Sequence, residues 1–286
     1  MVTDSTSSLA PAVANRAGVV VIPLNVIIDG QSRLETEVDP RMVAAALRDG
    51  KRVTTSRPSP QAFAATYQGL ANDGYEAVVS VHLSAKISGT WAAAETAAQG
   101  APLPVTVVDS GSVGMVTGFA ALSGASCAEV GGAADDVAAT VRTRAELSTI
   151  YFCVDNLEYL RRSGRIKAGA ALIGSVLSVK SLLTITEGEI RPYERVRTSS
   201  RALARLEELS LAALAQAAGR SSAVDIALHH LDGRDAAQRL AAALTGRIRT
   251  AAEVMVCEVS AVLGAHVGPG TVGVVIAPRP EACVPS

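Results

Sequence analysis

This sequence of 286 residues has few aromatic residues, and its positive and negative charges nearly balance. Phenylalanine, tyrosine and tryptophan together make up 3%, and 26 Lys and Arg residues face 27 Asp and Glu residues, for a formal net charge of −1. A protein that binds single-stranded nucleic acid needs rings on which bases stack, and a general binder of polyanions needs a basic face. The composition therefore argues against nucleic acid as a partner.

Long apolar runs are also missing. A membrane-spanning helix needs about 20 predominantly apolar residues, whereas the run "GVVVIPLNVII" is shorter and contains Pro23 and Asn25. The first residues include Asp4 and show no basic segment followed by an apolar one, so we expect no signal peptide. These features predict a cytoplasmic protein without an integral membrane segment.

Cysteines are few and catalytic signatures are lacking. Cys127, Cys153, Cys257 and Cys283 are widely spaced and form no Cys-x-x-Cys pair. We therefore expect four structural thiols in a reducing compartment, with neither a disulfide nor a metal site. The sequence has no G-x-S-x-G nucleophile elbow, no phosphate-binding P-loop and no H-E-x-x-H zinc motif. Motifs alone assign no catalytic residue, no metal and no cofactor.

The N-terminal half shows a regular alternation of strands and helices. Apolar residues make up 49% of the chain, which suffices for a sizeable core. Short β-branched runs, among them "VVVIPLNVII" as one strand, alternate with Ala-rich segments that begin at Asp39-Pro40 and Ser59-Pro60, a cap followed by proline. This alternation indicates a mostly parallel sheet with helices on both faces. We predict an α/β domain over residues 1–148.

The pattern changes after about residue 148. Residues 181–197 are typical of two strands joined by the turn Glu187-Gly188-Glu189, and a long helical segment follows at 199–219. Strands and helices then alternate to the end. A hairpin combined with alternating elements predicts an α+β domain with a mixed or antiparallel sheet over residues 149–286.

Small hydroxyl residues follow several of the predicted strands. The loops are Thr3–Ser8, Thr54–Pro60, Ser84–Thr90 and Val108–Gly114. Free backbone N–H groups and the partial positive charge of a helix N-terminus attract anions, and ligands of such sheets gather at the carboxyl ends of the strands. Ser and Thr also cap helices without any ligand. Each loop is therefore either a plain cap or part of a shared anion site.

Histidines and arginines give further candidates. His266 is one of four histidines and lies in a Gly-rich segment, a predicted turn before the last strand, where it is either a buried structural residue or a ligand contact. His229 and His230 lie in a predicted strand with an alternating pattern, which favours a structural role. The Arg-dense segments 161–167 and 191–201 form either a solvated face or a surface that grips phosphate.

Seven of these segments, in order from residue 2 to about residue 276, resemble the DegV family of bacterial fatty acid-binding proteins. They are "VTDSTSSL", "VTTSRPSPQAF", "HLSAKISGTWAAA", "VVDSGSVGMVTGF", "LEYLRRSGRI", "TEGEIRPYERVRTSSRAL" and "GAHVGPGTVGVVI". Each segment is a weak signal alone, whereas the ordered set is specific and covers nearly the whole chain.

The resemblance implies that a long-chain fatty acid is held between the two domains. Its carboxylate would be bound by Thr55, Ser88 and His266, with Ser56 and Gly89 as further members of the head-group loops. Apolar segments such as residues 170–179 would then either line a tunnel for the acyl chain or belong to an ordinary core.

The resemblance also implies a partner enzyme. In the family, a separate ATP-dependent kinase phosphorylates the bound carboxylate, and the acyl phosphate feeds phospholipid synthesis. The chain would then be a carrier without catalytic residues or cofactor, and Arg197 or Arg165 would contact the phosphoryl group or the kinase. Arg57 and Trp91 depart from the Gln and Tyr common in relatives; we expect Arg57 to face solvent.

Two other functions stay open at this point. One is an enzyme that acts on a small phosphorylated or carboxylated metabolite at the hydroxyl-rich loops, and the missing catalytic motifs argue against it. The other is a regulatory protein that senses lipid without passing it to a kinase. Turnover by the isolated protein would distinguish the first from a carrier, and only a partner assay would distinguish the second.

Overall fold

The computed structural model describes residues 1–166, 179–219, 221, 223–247, 251–281 and 283. Its α-helices are α1 (Pro11–Arg16), α2 (Pro40–Arg48), α3 (Pro60–Asn72), α4 (Thr90–Ala98), α5 (Met115–Glu129), α6 (Ala134–Leu147), α7 (Glu158–Arg162), α8 (Ser199–Ala218), α9 (Arg234–Thr245) and α10 (Ala261–Val267). Its strands are β1 (Val2–Asp4), β2 (Val20–Ile22), β3 (Asn25–Ile28), β4 (Gln31–Leu34), β5 (Val53–Ser56), β6 (Val78–His82), β7 (Val105–Asp109), β8 (Thr149–Val154), β9 (Lys180–Thr186), β10 (Glu189–Val196), β11 (Ala223–His230), β12 (Ala251–Glu258) and β13 (Val272–Pro278).

The first sheet is parallel throughout, in the order β2-β1-β6-β7. Every residue of β6 is buried, as expected for a parallel strand with helices on both faces. Along β6, Val78 packs on the side of Phe63 and Tyr67 of α3, whereas Val79 and Val81 pack on the side of α5. The predicted α/β organisation of the N-terminal half is confirmed.

The second sheet is mixed, in the order β10-β9-β8-β13-β11-β12. Only β11 and β12 run parallel among its described pairs. The predicted hairpin forms between β9 and β10, and its turn residues Glu187 and Gly188 have φ angles of 52° and 76°. The predicted mixed sheet is confirmed. The division at residue 148 stays a prediction; it falls in the link between α6 and β8.

Helices α5 and α6 lie between these two sheets and contact both β6 and β13. Helix α5 is apolar on nearly all sides, which is typical of a helix surrounded by protein. Helices α3 and α4 cover the outer face of the first sheet, while α8 and α9 cover the outer face of the second. A continuous core therefore joins the sheets through α5, and it includes Val81, Phe119, Phe152 and Ala277.

A third, antiparallel sheet in the order β4-β3-β5 was not predicted. The segment expected to be one strand divides at Pro23, so that β2 joins the first sheet and β3 joins this one. Proline lacks the N–H that a central strand needs and favours such a break. The hydroxyls of Thr54 to Ser56, expected in a loop, consequently lie on β5.

The expectation of four free thiols is wrong for two of them. Cys127, near the end of α5, forms a disulfide with Cys283, with a Cα–Cα distance of 5.3 Å. A separation of 156 residues leaves no local spacing from which the pair could be inferred. Cys153 and Cys257 are free, and burial raises the pKa of each thiol to about 12, so both are unreactive.

Two sequence predictions concern membrane and tunnel segments. Within the residues that the structure describes, no helix combines the length and apolarity required to span a bilayer. The segment 170–179, considered as tunnel lining, lies outside the described residues except for Val179.

Candidate functional site

The loops that follow the parallel strands meet at one edge of the first sheet. The Gly114 N–H donates to the carbonyl of Thr6 at 3.0 Å, and the Ser84 N–H donates to the carbonyl of Ser112 at 2.8 Å. Parallel strands place their carboxyl ends at the same edge, so this clustering follows from the topology. The remaining hydroxyl-rich segment, Thr54–Pro60, begins on the third sheet instead.

Thr55 and His266 lie side by side although 211 residues separate them. The Oγ1 atom of Thr55 is 2.9 Å from Nε2 of His266. Thr55 lies on β5, and His266 lies in the last turn of α10, a helix that contacts β3 and β5. The predicted turn around His266 is therefore wrong; the helix continues to Val267, and the turn begins at Gly268 with φ 77°.

A buried carboxylate holds the start of α10. The Val262 N–H donates to Oε1 of Glu35 at 2.5 Å, and Ser260 caps the helix by accepting from the Leu263 N–H at 3.3 Å. Burial raises the pKa of Glu35. Because Glu35 directly follows β4, this contact links the third sheet to α10. It thereby holds the sheet that carries Thr55 against the helix that carries His266.

The imidazole of His266 is neutral and incompletely hydrogen-bonded. Burial, with a smaller contribution from the nearby positive charge of Arg165, lowers the pKa of His266 to about 3. Its Nδ1 atom is buried and has no hydrogen-bond partner among the described residues. Buried polar atoms are nearly always paired in native proteins, and an unpaired one calls for an explanation. A ligand that approaches this ring would meet a polar atom in need of a partner.

Ser88 lies in the loop just before helix α4, next to Gly89, the N-cap residue. Its Oγ is 2.9 Å from Oγ1 of Thr90 and accepts from the Thr90 N–H at 3.3 Å, a serine turn that leads into the helix. Its loop is tied to β5 by Arg57, whose Nη1 would lie only 2.6 Å from a β-carbon placed on Gly89. The side chain of Arg57 is exposed, as expected, but it also lies against this loop.

The other predicted residues, Ser56, Arg165 and Arg197, differ in their exposure and in their contacts. Ser56 is exposed at the end of β5 and pairs with Asn25 in the sheet. Arg165 is partly buried, donates from Nη1 to the Ser163 carbonyl at 2.5 Å, and acts electrostatically on His266. Arg197 is exposed just after β10, with no described hydrogen bond to Thr55, Ser88 or His266.

An apolar cavity opens beside His266, between the second sheet, helix α10 and the loops that follow strands of the first sheet. Its volume is about 50 Å³, so it is a narrow slot. The described lining residues are Ile87, Val113, Gly114, Ile150, Phe152, Leu160, Arg165, Ile190, His229, Val259, Leu263, His266, Val267, Thr271 and Gly273. Of the three predicted carboxylate ligands, His266 lines the slot itself, Thr55 contacts His266, and Ser88 adjoins the lining residue Ile87.

A second histidine lies in a different setting. Nδ1 of His82 is 3.0 Å from Oδ2 of Asp4, and its Nε2 is 2.7 Å from Oγ of Ser80, which also accepts from the Tyr67 hydroxyl at 3.0 Å. The order Asp-His-Ser resembles a catalytic triad. All four side chains are 0% exposed, so no substrate reaches the serine, and the group is structural. Within the described residues, no cluster of His, Cys, Asp and Glu could hold a metal.

Known proteins share both the sequence and the fold. The family described as "Uncharacterised protein, DegV family" matches residues 1–279. This chain belongs to the DegV family. A DegV domain-containing protein of Streptomyces coelicolor is 48% identical over 280 residues, which cover 98% of each chain.

Two solved structures of DegV proteins are closely similar. One, from Thermus thermophilus and described as fatty acid binding, has a TM-score of 0.89 and 34% identity, and the match covers 97% of this chain and 98% of that one. Another, DegV of Bacillus subtilis, is described as a fatty acid binding protein and has a TM-score of 0.86 and 28% identity, over 97% and 98% of the two chains.

Sequence reasoning missed three residues at this candidate site. Glu35 and Ile87 carry no motif of their own, and only the paths of the third sheet and of the loop before α4 bring them here. His229 was interpreted as structural; its Nε2 accepts from the Met115 N–H at 3.0 Å, which joins β11 to α5, and its ring also lines the slot. Burial lowers the pKa of His229 to about 4, so this contact is kept at neutral pH.

Proposed function

We propose that this DegV protein binds a long-chain fatty acid and presents its carboxylate to a separate ATP-dependent kinase. The carboxylate would be held by Thr55, Ser88 and His266, and the acyl chain would enter the apolar slot beside His266. The observation that carries the proposal is the Thr55–His266 pair, with its unpaired buried nitrogen, at the edge of that slot.

The donors suit a carboxylate. A buried anion without hydrogen bonds is prohibitively costly, whereas hydroxyl and imidazole groups can satisfy its oxygens. Thr55 and Ser88 each carry a hydroxyl, and the neutral imidazole of His266 can donate one N–H. The Thr55–His266 distance of 2.9 Å allows both groups to bind the same carboxylate.

The slot suits an acyl chain. Burial of one methylene contributes about 0.8 kcal/mol, so a chain of about 14 methylenes gains on the order of 11 kcal/mol before the entropy of binding and chain ordering is subtracted. The described lining is formed largely by aliphatic and aromatic side chains such as Ile150, Phe152 and Leu160. At about 50 Å³ the slot is smaller than such a chain, so binding would also have to widen it.

Two measurements test fatty acid binding. Solvent extraction and mass spectrometry of the purified protein should recover a long-chain fatty acid, and the delipidated protein should bind oleate or palmitate. His266→Gln and Thr55→Val should each weaken binding by about tenfold, since each removes a hydrogen bond to a charged group. Recovery of no fatty acid, together with no binding of either added acid, would refute the proposal.

The transfer step needs its own test. The fatty acid-loaded protein is incubated with a bacterial fatty acid kinase and ATP, and acyl phosphate is trapped with hydroxylamine. The exposed position of Arg197 supports a contact with the kinase or the phosphoryl group, so Arg197→Ala should slow formation of the acyl phosphate without changing oleate affinity. If a kinase that is active with its own carrier forms no acyl phosphate from the loaded wild-type protein, this protein binds lipid for another purpose.

A further inference from the structure

We propose that Arg57 sets the head-group specificity of this site, so that it takes anionic lipids and discriminates against neutral ones such as fatty alcohols and methyl esters. The proposal rests on the proposed function, because it concerns the same carboxylate position. It goes further in assigning the discrimination to a residue outside the Thr55, Ser88 and His266 group.

The position of Arg57 supports this role. Arg57 directly follows β5, the strand that carries Thr55. Its side chain reaches the loop before α4: a β-carbon at residue 89 would lie 2.6 Å from Nη1, 3.2 Å from Cδ and 3.3 Å from Cζ. The guanidinium thus lies between the element that carries Thr55 and the element that carries Ser88.

Among the described residues, no counterion or hydrogen-bond partner contacts the side chain of Arg57, whereas Arg161 and Arg205, for example, are each paired with a glutamate. The three predicted carboxylate ligands are neutral: two hydroxyls and the uncharged imidazole of His266. Arg165 adds a second positive charge near His266. The local potential is therefore positive and favours an anion.

The three neutral groups cannot supply the discrimination by themselves. Hydroxyl and imidazole groups can bond with the hydroxyl of a fatty alcohol as well as with a carboxylate. Specificity is a difference between two affinities, and a guanidinium contributes to that difference because it binds an anion strongly and a neutral oxygen weakly. Arg57 supplies such a charge beside the loop that carries Ser88.

The test compares two ligands across matched variants. Dissociation constants for oleate and oleyl alcohol are measured with wild type, Arg57→Gln, Arg57→Lys and the control Arg52→Gln. Arg52 is also exposed and precedes β5, and it is bonded to Asp29 through its backbone N–H, which the substitution retains. Because Arg57 is exposed, its charge is screened, and Arg57→Gln should weaken oleate by about three- to tenfold.

The same variant should leave oleyl alcohol within twofold of wild type, and added salt should weaken oleate binding more in wild type than in Arg57→Gln. Arg57→Lys should keep part of the preference, and the control should keep all of it. An equal loss for both ligands would assign Arg57 to loop packing and overturn the proposal, as would no loss for oleate. If wild type binds oleyl alcohol but not oleate, the head-group assignment fails; if it binds neither, the proposed function fails and this inference with it.

Discussion

Two histidines, each bonded to a hydroxyl, differ in how completely their ring nitrogens are hydrogen-bonded. His82 uses both ring nitrogens, on Asp4 and Ser80, and the whole group is closed to solvent. In His266, Nε2 is hydrogen-bonded to Thr55, and Nδ1 has no partner among the described residues; the ring lines an apolar slot. A fully satisfied network rigidifies a core, whereas an unsatisfied one marks a place where a ligand can complete it.

The two networks also differ in what surrounds them. His82 is the last residue of β6, an inner strand of the parallel sheet, and packs edge-on against the Phe63 ring with centroids 5.1 Å apart. His266 lies where a short helix, an antiparallel sheet and the loop before α4 converge. The catalytic appearance of Asp4, His82 and Ser80 therefore belongs to the regular sheet, and the proposed binding site belongs to the more irregular part of the fold.

The largest effect should come from removal of the carboxylate of the complete network. Asp4 accepts hydrogen bonds from the Thr6 N–H and hydroxyl and from the Leu83 N–H, besides its contact with His82. Asp4→Ala leaves these donors buried without a partner, so we expect a loss of about 3–5 kcal/mol in the free energy of unfolding. Urea denaturation measures it. The control Asp73→Ala, an exposed residue after α3, should change stability by at most about 0.5 kcal/mol; a similar loss in both would show that Asp4 is not a structural centre.

A fall in pH should then destabilise the folded protein through protonation of His266. The pKa of His266 is about 3 in the folded protein, below its unfolded value near 6.5, so the unfolded chain binds more protons between these values. Stability is therefore full above about pH 6.5 and falls as the pH drops toward 3, by at most about 1.4 kcal/mol per pH unit. His229, with a pKa of about 4, contributes with the same sign.

His266→Gln removes one of these two contributions. Between pH 6 and pH 4 the variant should lose about 2–3 kcal/mol less than wild type, as measured by urea denaturation at each pH. Identical pH profiles for the two proteins would mean that His266 is not held neutral by burial.

The sequence predicted the regular parts of this fold well. The alternation of β-branched and Ala-rich runs, with caps at Asp39 and Ser59, predicted the parallel sheet, and the turn at Gly188 predicted the β9–β10 hairpin. These signals are local in the chain. The third sheet depends on the break at Pro23 and on short strands, whose pattern is weak; the disulfide of Cys127 depends on a contact across 156 residues.

The candidate site was reached from sequence by resemblance and not by residue pattern. Thr55 and His266 lie 211 positions apart, so no spacing rule connects them, and Ser88 alone is indistinguishable from an ordinary helix cap. What sequence could not supply is the set of supporting contacts: Glu35 on α10, Arg57 on the loop before α4, and the slot itself. Each requires the path of the third sheet.

The smallest effect concerns the contact that joins the two sides of the site. Gly89 has φ −78°, a conformation open to any residue, so Gly89→Ala introduces no backbone strain. The new methyl would displace the end of the flexible Arg57 side chain, which lies 2.6 Å from the β-carbon position. We expect a change in stability below about 0.5 kcal/mol and a loss of oleate affinity of about two- to threefold, on the scale of an exposed charge contact.

A double-mutant cycle decides whether Arg57 mediates that loss. If it does, Gly89→Ala combined with Arg57→Gln should bind oleate as Arg57→Gln alone does, because contacting residues are non-additive. The control Gly100→Ala, where a β-carbon meets no atom within 4 Å, should not change the affinity. Additive losses would mean that Gly89→Ala acts through Ser88 or the start of α4, independently of Arg57. Non-additive losses would mean that it acts through the guanidinium of Arg57. That guanidinium, together with His266, would then distinguish this open site from the closed network around His82.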